Sequence, residues 1–321
     1  ITDAVADKTS SSVNAFQYYF NGVDYFNKSH FKEAIVEFKN AIAIDSTFSS
    51  AYYKLAMAQW WSQSELSTET LEDAQASLQK VLNGQWYKTT KEKLLAQGAL
   101  ELTRQNFIEA ESLYKQLIDF IDDEKEAWYG LGEAYFHGKQ NFDLAKDAFE
   151  RAIELDPAFT VAYRHIFDIY AMNKEYDSGI IRATQLIDSN PENVWGYIFL
   201  SNMLIGKKDY ERAKDVLEDA IELDPELTQI YYSFTKVYRE LEQFDEGIEF
   251  ITGLRTVSDL PGKYEFLANM YIGKRQFDNA INIYERLLAL YPDNYHTLLM
   301  IGFTYLLDGK YQLAINHCER I

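Results

Sequence analysis

The sequence predicts an all-α solenoid of about nine helix–turn–helix repeats, on three observations. Pro157, Pro191 and Pro225 fall 34 residues apart, and Pro292 follows 67 residues later, one short of two periods. A small residue recurs at one phase as Ala34, Ala74, Ala110, Ala145, Gly179, Ala213, Gly247, Ala280 and Ala314. Only five prolines and 15 glycines punctuate 321 residues, which suits long helical stretches joined by short turns.

Residues 1–14, ITDAVADKTSSSVN, are polar and rich in Ser and Thr, and predict a linker or frayed lead-in. The chain also opens at Ile1 without Met, which predicts a missing upstream piece. From about Phe16 the helical period takes over. Repeats are expected near 15–48, 49–88, 91–124, 125–159, 160–193, 194–227, 228–260, 261–294 and 295–321, the last truncated inside its second helix. The unit from Val194 to Leu227 shows the logic. Its first helix carries Tyr197, Leu200 and Leu204 in one apolar stripe, and Gly206-Lys207-Lys208-Asp209 makes the turn, with Gly where a helix C-terminus favours it. The second helix carries Tyr210, Ala213, Leu217 and Ala220 and stops at Asp224-Pro225, because the residue before proline is pushed out of helical geometry.

The departures from this unit carry expectations of their own. Repeat two holds about six extra residues in Ser62-Gln63-Ser64-Glu65-Leu66-Ser67-Thr68-Glu69, read as a lengthened loop, with a docking loop as the alternative. Repeats one, two, three and seven have Ser46, Trp86, Asp122 and Asp259 in place of the terminal proline. Repeat five has bulky Phe167 where Gly or Ala is usual, which predicts local splaying or altered twist. A solenoid end without a polar cap predicts a chain that is truncated, continues further or is covered by a partner.

Composition bounds the function. With 47% apolar and 25% charged residues the chain can bury a core. A formal charge of −19 opposes phosphate backbones and anionic membranes, so no nucleic-acid partner is expected. No apolar run approaches the roughly 20 residues a membrane span needs, so no direct membrane insertion is expected either. Cys318 is the single cysteine, which excludes an internal disulfide and leaves cytoplasm and periplasm open, with a lean to the cytoplasm. Gly130-Leu131-Gly132 sits mid-helix and is no dinucleotide loop. No P-loop is present, and His30, His137, His165, His296 and His317 form no HExxH-type pair. No cofactor, no metal and no enzymatic activity are therefore expected. Lys28, Lys139, Lys174, Lys207, Lys274 and Lys310 recur in the turns within repeats, where a cation offsets the helix macrodipole.

The repeat resembles the tetratricopeptide-repeat (TPR) family. Repeat four matches that family's signature as Trp128, Leu131, Gly132, Tyr135, Phe142, Ala145, Phe149, Ala152 and Pro157. Repeat position 17 is aromatic as Phe31, Phe107, Phe142, Tyr176, Tyr210, Phe244, Phe277 and Tyr311, with Leu71 the exception. Small residues at position 20 are expected to let paired helices approach, with the aromatic at 17 filling the gap beside them. The stretches Ala15-Phe16-Gln17-Tyr18-Tyr19-Phe20-Asn21-Gly22 and Asp45-Ser46-Thr47-Phe48 are also similar to the start of TPR regions that follow regulatory or envelope-associated domains in bacterial multidomain proteins.

The resemblance implies a right-handed superhelical α-solenoid and a non-enzymatic scaffold that binds a peptide or helix in its concave groove. It also implies which residues line that groove. Tyr19, Phe26, Tyr53, Trp60, Trp61, Tyr129 and Phe136 would be apolar anchors, with Arg164, Asp168, Asn202, Lys236 and Arg239 orienting polar groups farther along. The competing reading is that several of these rings pack against neighbouring helices. A carboxylate clamp is absent, since Ser233, Gly262 and Phe266 stand where its later residues belong. Two alternatives stay open: self-association through the uncapped end, giving a homo-oligomer, and a regulatory TPR region of a longer multidomain signalling or envelope protein.

Overall fold

The computed structural model describes residues 12–62, 71–87, 89–254 and 260–319. Most of the extra segment of repeat two, Asp259 and the Cys318 side chain lie outside the described residues. Among those residues every regular element is a helix. The chain divides into two units, residues 1–169 and 170–321.

The first unit holds α1 (Val13–Asn27), α2 (Phe31–Ile44), α3 (Ser49–Trp61), α4 (Leu71–Gly84), α5 (Thr90–Thr103), α6 (Phe107–Phe120), α7 (Lys125–Glu133) and α8 (Phe142–Leu155). Helix α9 (Thr160–Asn173) contains the division, two residues beyond Phe167. The second unit continues with α10 (Tyr176–Ser189), α11 (Val194–Gly206), α12 (Tyr210–Leu223), α13 (Thr228–Glu240) and α14 (Phe244–Gly253). It ends with α15 (Pro261–Gly273), α16 (Phe277–Leu290), α17 (Tyr295–Leu307) and α18 (Tyr311–Cys318). In each unit a helix packs on the next in sequence, and first helices also touch across the intervening one, as α3 with α5, α5 with α7, α11 with α13 and α13 with α15. That is the short-range pattern of a helical-hairpin stack.

The small-residue phase is borne out by packing. Ala34, Ala74, Ala110, Ala145, Ala213 and Ala280 are fully buried. At the facing position of the first helix, a methyl on Gly22 would sit 2.6 Å from the Phe38 ring, and one on Gly132 would sit 2.5 Å from Phe149. Helices this close exclude even one more carbon.

One local expectation is corrected and one extended. The left-handed residue that closes α11 is Lys208, at φ 65°, and Gly206 lies inside the helix. The same position is held by Ser29, Gln105, Gln140, Lys174, Glu242 and Arg275, all at positive φ. Bonds such as Asp209 N to Leu204 O and Lys310 N to Tyr305 O, both 2.9 Å, close the Schellman turn. Gly206 is small for another reason: a methyl there would lie 2.3 Å from the Tyr176 ring of the preceding repeat. Gly138 with Phe107 and Gly273 with Phe244 repeat the contact. The position-17 aromatic therefore stitches one repeat to the next as well as filling the space beside its own helix pair, as Phe31 does against Phe26 at 5.5 Å and Phe142 against Phe136 at 5.4 Å.

The lead-in is also shorter than expected. Helix α1 already begins at Val13, with the Ser12 hydroxyl accepting from Ala15 N at 3.3 Å. At the junctions between repeats, Asp45, Asp156 and Asp224 accept backbone N–H groups two residues on, fixing the turn that precedes the next helix. The large residue early in the first helix reaches back over that turn. Trp128 Nε1 donates to Asp122 O at 2.7 Å, and the Tyr231 hydroxyl donates to Pro225 O at 2.6 Å.

Repeat four differs. Its span of 125–159 is one residue longer than its neighbours, and the extra residue is absorbed as a π-helical turn, Ala134–Lys139, that continues α7. Several turn lysines reach back one repeat: Lys139 to Glu111, Lys207 to Asp177, Lys274 to Asp245 and Lys310 to Asp278. They link successive repeats as well as facing the helix end.

Candidate functional site

In the first unit, the ends of α3, α5 and α7 and the middle of α9 enclose a cleft of about 410 Å³. Trp60, Trp61, Leu102, Phe107, Glu133, His137, Arg164 and His165 are among its walls. Consecutive residues on a helix point about 100° apart, yet both tryptophans line this cleft and both are half-buried. Trp61 lies against Phe31 at 6.1 Å and Trp60 at 6.4 Å, and the Arg164 guanidinium covers its ring at 4.8 Å. A cation stacked on an indole at a partly desolvated surface holds that ring in place.

Below the cleft lies an ionic group. Glu133, 1% exposed, brings one carboxylate oxygen to 2.6 Å from His165 Nε2 and the other to 3.4 Å from His137 Nε2. Burial acts to raise the Glu133 carboxyl, but the two imidazoles outweigh it and hold it down, at about 2. The Glu133 carboxylate beside it raises His137 above the usual imidazole value. His165 is walled by rings: Phe149 stacks on it at 4.8 Å, with Phe136 at 4.7 Å and Trp61 at 5.4 Å. The π-helical turn carries Phe136 and His137 into this wall.

The groove residues inferred from the sequence separate into three groups. Trp60, Trp61, Phe136 and Arg164 come together at or beside the cleft. Asp168 stands at its edge, 63% exposed, with Oδ2 3.9 Å from His165 Nδ1. Phe26, Tyr53 and Tyr129 are 1%, 7% and 1% exposed, and belong to the core. Burial, with Glu126 nearby, pushes the Tyr53 hydroxyl well above its usual value; burial, with Glu133, does the same for Tyr129. None of the three can anchor a partner, because each already fills space between helices. Tyr19 is half-buried against Phe48 at 5.0 Å and Phe38 at 5.9 Å, away from the cleft walls.

Asn202, Lys236 and Arg239 lie in the second unit and are exposed. Asn202 accepts the Ser233 hydroxyl at 3.1 Å, and Glu240 accepts the Tyr210 hydroxyl at 3.1 Å. These residues make a solvated polar face.

A second buried ion pair was not legible from repeat positions. Lys54 and Glu126, 6% and 7% exposed, pair in the first unit, with the Tyr53 hydroxyl on the same carboxylate at 3.4 Å. The Lys54 ammonium also lies over the Phe26 ring at 4.9 Å.

Two family models described as tetratricopeptide repeat match the chain, one at residues 125–159 and 196–227 and one at 264–294. The Protein CTR9 homolog of Arabidopsis thaliana is 23% identical over 239 residues, covering 71% of this chain and 22% of that protein. The TPR repeat-containing protein YpiA of Bacillus subtilis is 23% identical over 250 residues, 74% of this chain and 58% of that protein. The chain thus spans under two thirds of the length of each of these relatives. A solved tetratricopeptide repeat protein from Parabacteroides merdae is 16% identical, with a TM-score of 0.46, covering 81% of this chain and 99% of that one.

Proposed function

Since the chain belongs to the tetratricopeptide-repeat family, whose repeats serve protein–protein interaction, we propose that it is a non-enzymatic scaffold holding a partner segment in the first unit's cleft. One observation carries the reading: Trp60, Trp61 and Arg164 share one concavity of about 410 Å³. Trp and Arg are the residue types that dominate binding energy when held in a desolvated pocket. A peptide or helix with an apolar side chain flanked by an acidic one fits this wall, the apolar group between the tryptophans and the carboxylate on Arg164.

The test is affinity capture from host lysate with the chain as bait, compared with a Trp60→Ala bait. Trp60 is half-buried, so its loss is expected to leave helical content unchanged and to reduce recovery of the specific partner at least tenfold. Equal recovery by both baits would contradict the reading.

A second reading has its own observation. In α17 and α18, Tyr295, Leu299, Phe303, Leu306, Tyr311 and Ile315 are all 47–66% exposed. An apolar stripe of this kind suits another helix, and self-association through it would appear as concentration-dependent mass in sedimentation equilibrium. A Leu299→Glu/Phe303→Glu variant would abolish that dependence.

A further inference from the structure

We infer that Glu133, His137 and His165 form a binding site for one zinc-class divalent metal ion at the floor of the first unit's cleft. The three residues offer two imidazole nitrogens and a carboxylate oxygen, with ligand atoms all within 4.8 Å of one another. Two imidazoles and one carboxylate make a donor set that suits zinc and its first-row neighbours, and selects against magnesium and calcium, which prefer oxygen alone.

The spacing fits. Donors at bonds of about 2.0–2.2 Å around a tetrahedral zinc stand roughly 3.3 Å apart. His137 Nε2 and Glu133 Oε2 are already 3.4 Å apart. His165 Nε2 and Glu133 Oε1, at 2.6 Å, would open by several tenths of an ångström to admit the ion.

A second observation points the same way. The close approach of Glu133 and His165 is not aligned as a hydrogen bond, and both carboxylate oxygens and both His165 ring nitrogens are buried without a hydrogen-bond partner. Buried polar groups held by ionic contacts without aligned hydrogen bonds leave room for an occupant that satisfies them. The cleft is lined by the same Glu133, His137 and His165, so an ion has a route in and an open fourth position.

The surroundings supply the outer shell a metal-bound imidazole needs. Asp168 Oδ2 lies 3.9 Å from His165 Nδ1, where a small closure would give a carboxylate–histidine–metal relay. The π-helical turn, Ala134–Lys139, begins directly after Glu133 and bears His137, so the extra residue of repeat four sits inside the site. The inference concerns these side chains alone and stands whether or not a protein segment occupies the cleft.

Isothermal titration of the whole chain with zinc chloride tests it, with magnesium chloride as the counter-probe. The expected result is one zinc per chain, micromolar or tighter, and no magnesium uptake. His137, with a side chain 43% exposed, can be changed without disturbing the core. His137→Ala should weaken binding at least tenfold, and Asp168→Asn by about tenfold. Cobalt(II) should give the intense visible bands of a four-coordinate site in the parent chain and lose them in His137→Ala. Glu133→Gln, its fold checked by circular dichroism, should remove binding; if that variant unfolds, His137→Ala decides. Absence of saturable zinc binding overturns the inference. So does zinc binding unchanged by His137→Ala, which would place the ion on other histidines and leave this cluster a plain ion pair.

Discussion

The two units are built from one repeat but treat charge differently. In the first, Lys54, Glu126, Glu133 and His165 are at most 7% exposed and meet each other under aromatic walls. In the second, the ion pairs lie on the surface, as Lys207 with Asp177, whose side chains are 43% and 80% exposed, and Lys310 with Asp278 at 39% and 86%. The helix-pair geometry needs only small residues and rings at set phases, and both units supply them. What a unit places at the remaining first-helix positions is free to vary: the first buries the pairs Lys54–Glu126 and Glu133–His165, and the second buries the carboxylate of Glu265.

The comparison can be broken most sharply at Glu126. Removing one member of a buried pair leaves the other uncompensated, so Glu126→Gln should destabilise the first unit by about 3–5 kcal/mol. The double variant Lys54→Met/Glu126→Leu should recover most of that loss, because well-packed apolar groups of similar volume replace such pairs at little cost. Denaturant midpoints of the three proteins decide it, and a double variant as unstable as the single would show that the charges themselves are required.

Next in size is the close helix approach. Gly132→Ala drives a methyl to within 2.5 Å of the Phe149 ring, with an expected loss of about 1–3 kcal/mol in thermal or denaturant unfolding. An unchanged midpoint would mean that α7 and α8 separate freely.

Acid should act with opposite sign through Asp156 in the first unit and Glu265 in the second. Burial alone would raise the Asp156 carboxyl, but Lys125 outweighs it and holds it below the usual 3.8. Its stabilisation of the first unit is complete above pH 3.8 and is lost as pH falls through the lowered folded value. In the second unit burial raises Glu265, 5% exposed, above 4.5. Its penalty is full above the raised value and is relieved as pH falls towards 4.5. Hydrogen exchange resolved by unit and corrected for its intrinsic pH dependence should show the second unit's contribution improving on the way to pH 4.5, and the first unit's falling below 3.8. Glu265→Gln should flatten the former and Asp156→Asn the latter.

The smallest effect belongs to the surface ladder. Lys310→Ala breaks an exposed pair and should leave the unfolding midpoint nearly unchanged, the more so in high salt. A larger loss would give the ladder a weight that exposed charges do not normally carry.

Much of the fold was legible because the repeat phase is a packing constraint. Ala34, Ala110 and Ala213 had to be small for helices to meet, and the recurrence of small residues at intervals of 33 to 40, most often 34, shows in the chain. Trp60 and Trp61 were picked out by their repeat positions; that two adjacent rings, about 100° apart on the helix, both line one cleft follows only from the packing around them. Phe26, Tyr53 and Tyr129 were misread as anchors because repeat position gives the face of a helix and not how deeply the next repeat covers it. The Glu133–His137–His165 group was missed for a different reason. Glu133 and His137 are one helical turn apart, but His165 comes from the following repeat, and only packing joins them. The signal that was available is the single extra residue of repeat four, which marks the π-helical turn.

The most direct test of the division between the units places a benzophenone photo-crosslinking side chain at Trp60 and, in a separate protein, at Lys236. Both are irradiated in host lysate under the same conditions. The expected result is a discrete crosslinked partner from position 60, suppressed by an Arg164→Ala change, and none from position 236. Crosslinks from position 236 with none from position 60 would contradict the account and move the docking surface to the polar face of the second unit.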